Sequence, residues 1–460
     1  MDRHDERVSR YRRFWDEPRE TADPETRRQL ILDRVRHQLH YAYEQLPFYR
    51  RLYDEHGFQP DDVKSLEDFT AKVPIVTKDM LRRDQADHPP FGSYLGVEPA
   101  DLVRIFGSSG TTGTPTVYGI SRDDWERSKD CQAMAGWAMG VRPDDVVHFL
   151  FPFSMFVGGW AILLGTTEIG ATNFPAGALD SRKHLDMMRQ LGSTVLAGTP
   201  SYCLHLAEVA RDNGVDLTAL GIHTLIVGGE PGGSLSGLRE AMRAAFGDVR
   251  VADTGNTSEC YPTQMNSSCH EETGVHIFED EVFLEVVDRE DPGVAVPDGE
   301  RGATVYTTLW RRSQPMIRFW AGDETYMDRT PCRCGRTFPR LPEGLLGRLD
   351  DMLLIRGANV YPSAVEDTLR KVEGVGAEYR LIVEKRGAMD EIRIECEYDP
   401  RWLSAQSGAE GARQDLIARM DAALKRTIGL RCPVEIVEPG THEARLFKAR
   451  RVVDRRPNLR

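Results

Sequence analysis

The chain predicts an α/β protein: a large N-terminal domain on mainly parallel sheets, then a small ferredoxin-like α+β domain. Three observations point there. Its 460 residues exceed what one compact core serves, so more than one domain is expected. From residue 100 to 340, short apolar runs alternate with helical stretches. After GRLDD (347–351) the texture changes, which puts the boundary between domains of 1–346 and 347–460.

Taken in order, residues 28–54 (RQLILDRVRHQLHYAYEQLPFYRRLYD) repeat apolar positions at helical spacing and read as one amphipathic helix. DVVHFLFP (145–152), STVLAGTP (193–200), HTLIVGG (223–229) and VRVAD (249–253) read as strands buried on both faces. Helices are expected at 201–213, after a proline, and at 234–246, after paired glycines. Such alternation implies a parallel sheet covered by helices, with ligands at the carboxyl ends of its strands. Beyond the boundary come a strand (MLLIRG), a helix (PSAVEDTLRKV), two strands (YRLIVEK, EIRIECEYD), a helix (GARQDLIARMDAALKRTI) and a strand (PVEIVE). With its leading strand, that order is the split βαβ unit.

Composition excludes some classes. A net charge of −13 argues against nucleic acid as a partner, because phosphate backbones need a basic surface. The N-terminus, MDRHDERVSRYRRFWDE, is charged throughout, and no window approaches the ~20 apolar residues of a membrane span. Eight cysteines in a chain this long suggest a reduced, cytoplasmic setting in which clustered cysteines bind metal. Only nine lysines occur among 59 basic residues, so each placed lysine is informative.

The strongest local signal is FGSSGTTGTPT, residues 106–116. Glycines interleaved with serines and threonines let the backbone turn tightly and aim donors at one concavity, which suits triphosphate oxygens. No Gly-Lys-Ser/Thr follows, so this is not a Walker A loop. A second constellation pairs Cys269 and His276 with the C-x-C of Cys332 and Cys334. Two short ligand pairs far apart in sequence are a common way to build a closed, structural Zn²⁺ site.

SSGTTGTPT resembles the phosphate loop of the acyl-adenylate-forming superfamily, and the chain resembles the phenylacetate–CoA ligase family within it. The resemblance runs from LPFYRRLYDEHGF through SLEDFTAKVPIVTKDMLR, the loop, GGEPGG, TSE, GVHIFEDEVFLEVVD, TTLWRRSQPMIRFWAGD and GRLDDMLLIRGANVYPSAVE to FKARRVVDRR. It implies an adenylate-forming N-terminal domain and a mobile C-terminal lid, with the active site between them. Ser108, Ser109, Gly110, Thr111, Thr112 and Gly113 would then hold the ATP phosphates, and Gly229, Glu230 and Pro231 the adenine. Ser258, Asp323 and Arg348 would complete the nucleotide site, with Asp323 on the ribose hydroxyls. Glu259 would hold Mg²⁺. Lys448 would be the catalytic lysine that neutralises charge at the transferring phosphoryl group. Asp350 would be the hinge that withdraws Lys448 and brings the loop around Gly357 to the site. Phe153, Gly159, Trp160 and Asn256 fall where the family builds its acid pocket. Some family members carry PCxCGRT with a histidine in the HIxED segment, which favours His276 over His270 as the fourth metal ligand.

Three departures stand out. Thr114 occupies the place of the family's loop lysine, so a nearby arginine is one candidate replacement. Gly255 stands where an aromatic residue usually packs on adenine, and Trp320 replaces an arginine. The expected reaction is activation of an aromatic acid with ATP, then transfer to CoA; a homodimer is compatible with it. The alternative keeps the adenylation and changes the acceptor to a carrier-protein thiol, an amine, or nitrite in a diazotisation. A degenerate nucleotide sensor is the third reading, and it has no need of both Lys448 and Glu259.

Overall fold

The apolar runs of the middle third become strands Val146–Phe149, Val195–Gly198, Thr224–Val227 and Arg250–Asp253. With Thr172–Phe174 at one edge they form a single parallel sheet in the order 172, 146, 195, 224, 250. The central strands Val195–Gly198 and Thr224–Val227 are buried throughout, as continuous apolar runs require. Helices Gly158–Ile169, Ser181–Leu191, Pro200–Asp212 and Ser236–Phe246 alternate with them. Pro200 opens its helix where no N–H is needed, and Thr199 caps it by accepting from the Tyr202 N–H.

A computed structural model describes residues 9–108, 116–155, 157–177, 179–355, 358–386, 389–406, 408–428, 432–442 and 451–456. Beside the parallel sheet stands an antiparallel one of Val282–Val287, Gly302–Thr308, Phe319–Thr325 and Gly347–Arg348. Strands Leu102–Gly107 and Val117–Ser121 pair antiparallel on either side of the glycine-rich segment.

The expected single helix over 28–54 is two helices, Pro24–Gln45 and Pro47–Glu55. Pro47 is the cause. It crowds Leu46 into an extended conformation (φ −114°, ψ 106°), which ends the first helix and starts the second. Both helices bury aliphatic and aromatic side chains, among them Val35, Leu39, Tyr49 and Tyr53, in one core with the antiparallel sheet.

Toward the C-terminus a mixed sheet runs in the order Val434–Val437, Met389–Tyr398, Val375–Arg386, Val452–Asp454. The two long central strands are antiparallel, and each edge strand runs parallel to its neighbour. Helices Pro362–Arg370 and Ala409–Ile428 share its core. The leading strand predicted at MLLIRG lies outside this sheet: among the described residues Leu353–Ile355 pairs only with Ala358–Val360, in a hairpin. The outer position beside Val375–Arg386 goes to Val452–Asp454 instead.

This C-terminal region docks on the parallel-sheet region through helices Ser236–Phe246 and Pro362–Arg370. The Gly237 N–H donates to Asp367 Oδ1 at 2.7 Å. A Cβ at position 237 would lie 2.5 Å from the Asp367 carbonyl oxygen, so this approach requires glycine. Among the described residues no helix is long and apolar enough to cross a membrane.

Candidate functional site

The glycine-rich segment enters and leaves through one narrow neck. The Ser108 N–H donates to the Thr116 carbonyl at 3.0 Å, and their hydroxyls lie 3.3 Å apart. Of the predicted phosphate-binding residues Ser108 is buried there, whereas Ser109, Gly110, Thr111, Thr112 and Gly113 lie outside the described residues, as does Thr114. Two other segments meet the neck at Gly107. Its N–H donates to the Met155 carbonyl at 3.0 Å, and its carbonyl accepts from the Ser258 hydroxyl at 3.5 Å.

Glu259 follows Ser258 and is buried. Its Oε1 accepts from the Tyr118 hydroxyl at 3.4 Å and lies 2.9 Å from Lys78 Nζ. Burial, and then the Glu259 charge beside it, push the Tyr118 phenol well above its ordinary pKa, so the hydroxyl stays a donor. The Arg311 guanidinium holds the Glu259 backbone carbonyl at 2.5 Å and also bonds Gly119 O, which fixes the turn against the return strand.

Gly229, Glu230 and Pro231 form the turn at the carboxyl end of strand Thr224–Val227, with Gly229 at φ +86°. Glu230 accepts from the Ser201 N–H at 2.7 Å at the start of the neighbouring helix. Asp323 lies in strand Phe319–Thr325, directly opposite Arg348. Trp320, three residues earlier, donates its N–H to the Val76 carbonyl at 2.8 Å. Asp350 falls in the short 3₁₀ turn Leu349–Asp351. Lys448 and Gly357 lie outside the described residues.

Phe153 and Trp160 meet edge to face, with ring centroids 5.2 Å apart, and Phe149 backs Phe153 at 5.5 Å. Gly159 packs against Phe151 and Phe153; a Cβ there would lie 3.2 Å from Phe151 and 3.4 Å from Phe153. Asn256 donates to the Thr263 carbonyl at 2.7 Å, while its Oδ1 is shielded from solvent and has no partner among the described residues. At Gly255 the N–H donates to Asn266 Oδ1 at 2.8 Å.

The cysteine constellation is brought together: ligand atoms of Cys269, His276, Cys332 and Cys334 lie within 4.8 Å of one another, all four residues buried. His276 Nδ1 lies 3.1 Å from the Phe338 carbonyl, which places the ring proton on Nδ1 and leaves Nε2, 3.4 Å from Cys334 Sγ, as the free lone pair. His270 Nε2 instead faces Glu271 at 3.4 Å.

Sequence reasoning passed over Lys78 and Tyr118. Lys78 was visible as one of nine lysines, inside a family-like segment, but 181 positions separate it from Glu259.

The fold and this convergence are those of a nucleotide-dependent acid-activating enzyme. The sequence profile of the AMP-binding enzyme family matches residues 24–308, and that of the AMP-binding enzyme C-terminal domain matches 357–456; the chain belongs to this family. Its relatives include the phenylacetate-coenzyme A ligases of Thermus thermophilus (33% identical, covering 95% of this chain and 98% of that one) and Escherichia coli (32%, covering 96% and 97%). Among solved structures, 2-hydroxyisobutyryl-CoA ligase in its postadenylation state with 2-HIB-AMP is 38% identical, with a TM-score of 0.91 over 96% of this chain and 92% of that one. The same ligase with 2-HIB-AMP and CoA in its thioesterification state, at 39% identity and 97% and 93% coverage, gives 0.73. This chain superposes better on the former.

Proposed function

We propose that the chain activates a carboxylic acid with ATP as its acyl-adenylate and then passes the acyl group to coenzyme A. The observation that carries this reading is the meeting, at Gly107, of the phosphate-loop neck, the Ser258–Glu259 turn and the segment that continues into the Phe153–Trp160 corner. In the first step a carboxylate oxygen attacks the α-phosphorus, and the bond to the bridging oxygen breaks as pyrophosphate leaves with its electron pair. Most of the catalysis is then positioning and charge neutralisation. In this reading Ser108 to Gly113 cradle the phosphates, and Gly229, Glu230 and Pro231 line the adenine. Asp323 and Arg348 take the ribose side, Glu259 holds Mg²⁺, and Lys448 neutralises the transferring group. The division near residue 347, with Asp350 as hinge, lets a mobile C-terminal domain exchange the two half-reactions.

The acid is aromatic in the favoured reading. Phe153 and Trp160 form an aromatic corner that suits a flat substrate, and Gly159 lets Phe151 and Phe153 pack closely beneath it. A small 2-hydroxy acid is the second reading. The unpartnered Asn256 Oδ1 asks for a donor, and a solved relative carries 2-HIB-AMP.

Cys269, His276, Cys332 and Cys334 fit a structural Zn²⁺: three soft sulfurs and an imidazole whose Nε2 lone pair is left free, all four residues buried. These four residues would hold the ion, which would tie the 269–276 strand region to the 332–334 turn.

Pyrophosphate exchange with phenylacetate, hydroxybenzoates, aminobenzoates and 2-hydroxyisobutyrate tests the reading, followed by mass detection of thioester on adding CoA. Exchange with an aryl acid and a thioester product is expected. No exchange with any acid would return the chain to the sensor reading; adenylate without thioester would move the acceptor to a carrier thiol, an amine or nitrite.

A further inference from the structure

The phosphate loop has lost its lysine, yet a lysine ammonium stands against Glu259, the residue after the Ser258 that bonds Gly107 at its neck. We propose that Lys78 supplies, from a separate helix, the cationic contact to the β- and γ-phosphates that Thr114 cannot make. The inference rests on the ATP-dependent reading above and extends it to a residue outside the loop.

Three observations place the ammonium. Lys78 opens helix Lys78–Asp87, and its Nζ lies 2.9 Å from the Glu259 carboxylate. That helix is fastened to the loop's return strand by a reciprocal pair: Gln85 Nε2 donates to the Val117 carbonyl at 2.7 Å, and Gln85 Oε1 accepts from the Val117 N–H at 3.1 Å. At its other end Val76 pairs with the strand that carries Asp323, donating to Arg318 O at 3.0 Å and accepting from the Trp320 N–H at 2.8 Å. Helix and site are therefore fastened to the same two strands, which fixes the base of the lysine stem beside Glu259. The Lys78 side chain is one-third exposed, whereas Glu259 is buried, so the ammonium stands on the open side of the carboxylate. Arg311 cannot serve instead, because its guanidinium is buried and committed to Glu259 O and Gly119 O.

Without nucleotide, Lys78 balances the Glu259 charge. When the polyphosphate is bound with its cation at Glu259, the ammonium is released to the β,γ side. There it offsets charge that grows on pyrophosphate as the α-phosphorus to bridging-oxygen bond breaks.

The test uses ligands that differ only in those phosphates. Calorimetry on the full chain with Mg²⁺ should show Lys78→Ala weakening α,β-methylene-ATP and pyrophosphate by about tenfold or more, and AMP by less than about twofold. Lys78→Arg should retain most of the binding, and Thr114→Lys added to Lys78→Ala should restore it. Thioester formation from synthetic acyl-adenylate and CoA, which involves no polyphosphate, should be unchanged. Equal loss of AMP and the ATP analogue, or no loss of either, overturns the assignment of Lys78. Absence of binding of any nucleotide to the unaltered protein overturns the adenylating reading itself, so the two failures are distinguishable.

Discussion

Two corners of the molecule bury ionisable groups in opposite ways. At Cys269, His276, Cys332 and Cys334 every group faces another of the set, supported by Phe338 O on His276, the Arg336 N–H on Cys334 at 3.4 Å and the Thr273 hydroxyl 3.6 Å from Cys332 Sγ. At Glu259 the carboxylate is equally buried, but its cationic partner is a one-third-exposed lysine whose ammonium has no other ion-pair partner among the described residues. In the first arrangement the four ligand atoms are turned on one another, all within 4.8 Å. The second has one replaceable partner. Burial by itself does not mark function; the exchangeability of the partner does.

The comparison breaks most visibly at the closed corner. Cys332→Ser should reduce Zn²⁺, measured by elemental analysis, from about one per chain to near none, and lower the melting temperature by about 10 °C or more. Retained metal with unchanged melting would sink the structural-ion reading. At the open corner Glu259→Gln keeps the shape and removes the charge. Adenylation, followed by pyrophosphate exchange, should fall about 10²- to 10³-fold while melting hardly changes.

Smaller effects lie at the docking surface between the two regions. Gly237→Ala puts a methyl against the Asp367 carbonyl, and the small-angle scattering of the variant should move away from the profile of the present arrangement. An identical profile would show that this contact does not hold the arrangement. The smallest effect concerns Glu208, which burial pushes up to about 7 against Arg370 and Arg211. A carboxyl raised in the folded state is tolerated when protonated and costs stability as pH rises from its unfolded value near 4.5 through 7. Glu208→Gln should therefore melt higher than the parent at pH 8 and nearly with it at pH 4.5. A constant difference across that range would remove Glu208 from the pH dependence.

Much of this was legible in the sequence because the signals were local. The four buried strands follow from apolar runs, and their helices from a proline or glycine start. The cysteine set followed from a C-x-C plus family context. What escaped was non-local. The Leu46–Pro47 break was hidden under helical periodicity that continues across it, although the proline alone should have prompted it. MLLIRG has strand composition, but its place outside the sheet is decided by competition with Val452–Asp454, about a hundred residues later. Lys78 reaches Glu259 only because Val76 and Gln85 anchor its helix at two distant strands, and no window of sequence contains all four.

The reciprocal Gln85–Val117 pair has a genetic consequence. Glutamine offers a donor and an acceptor on one planar group, and here it uses both on the backbone of a single residue, with a further contact to the Tyr94 hydroxyl. Glutamate at 85 would set a lone pair against the Val117 carbonyl, and leucine would leave both backbone groups dry. In a mutational screen, position 85 should thus score with the glycine-rich segment, its phenotype indistinguishable from a loop lesion, although the sequence files it in an unremarkable helix.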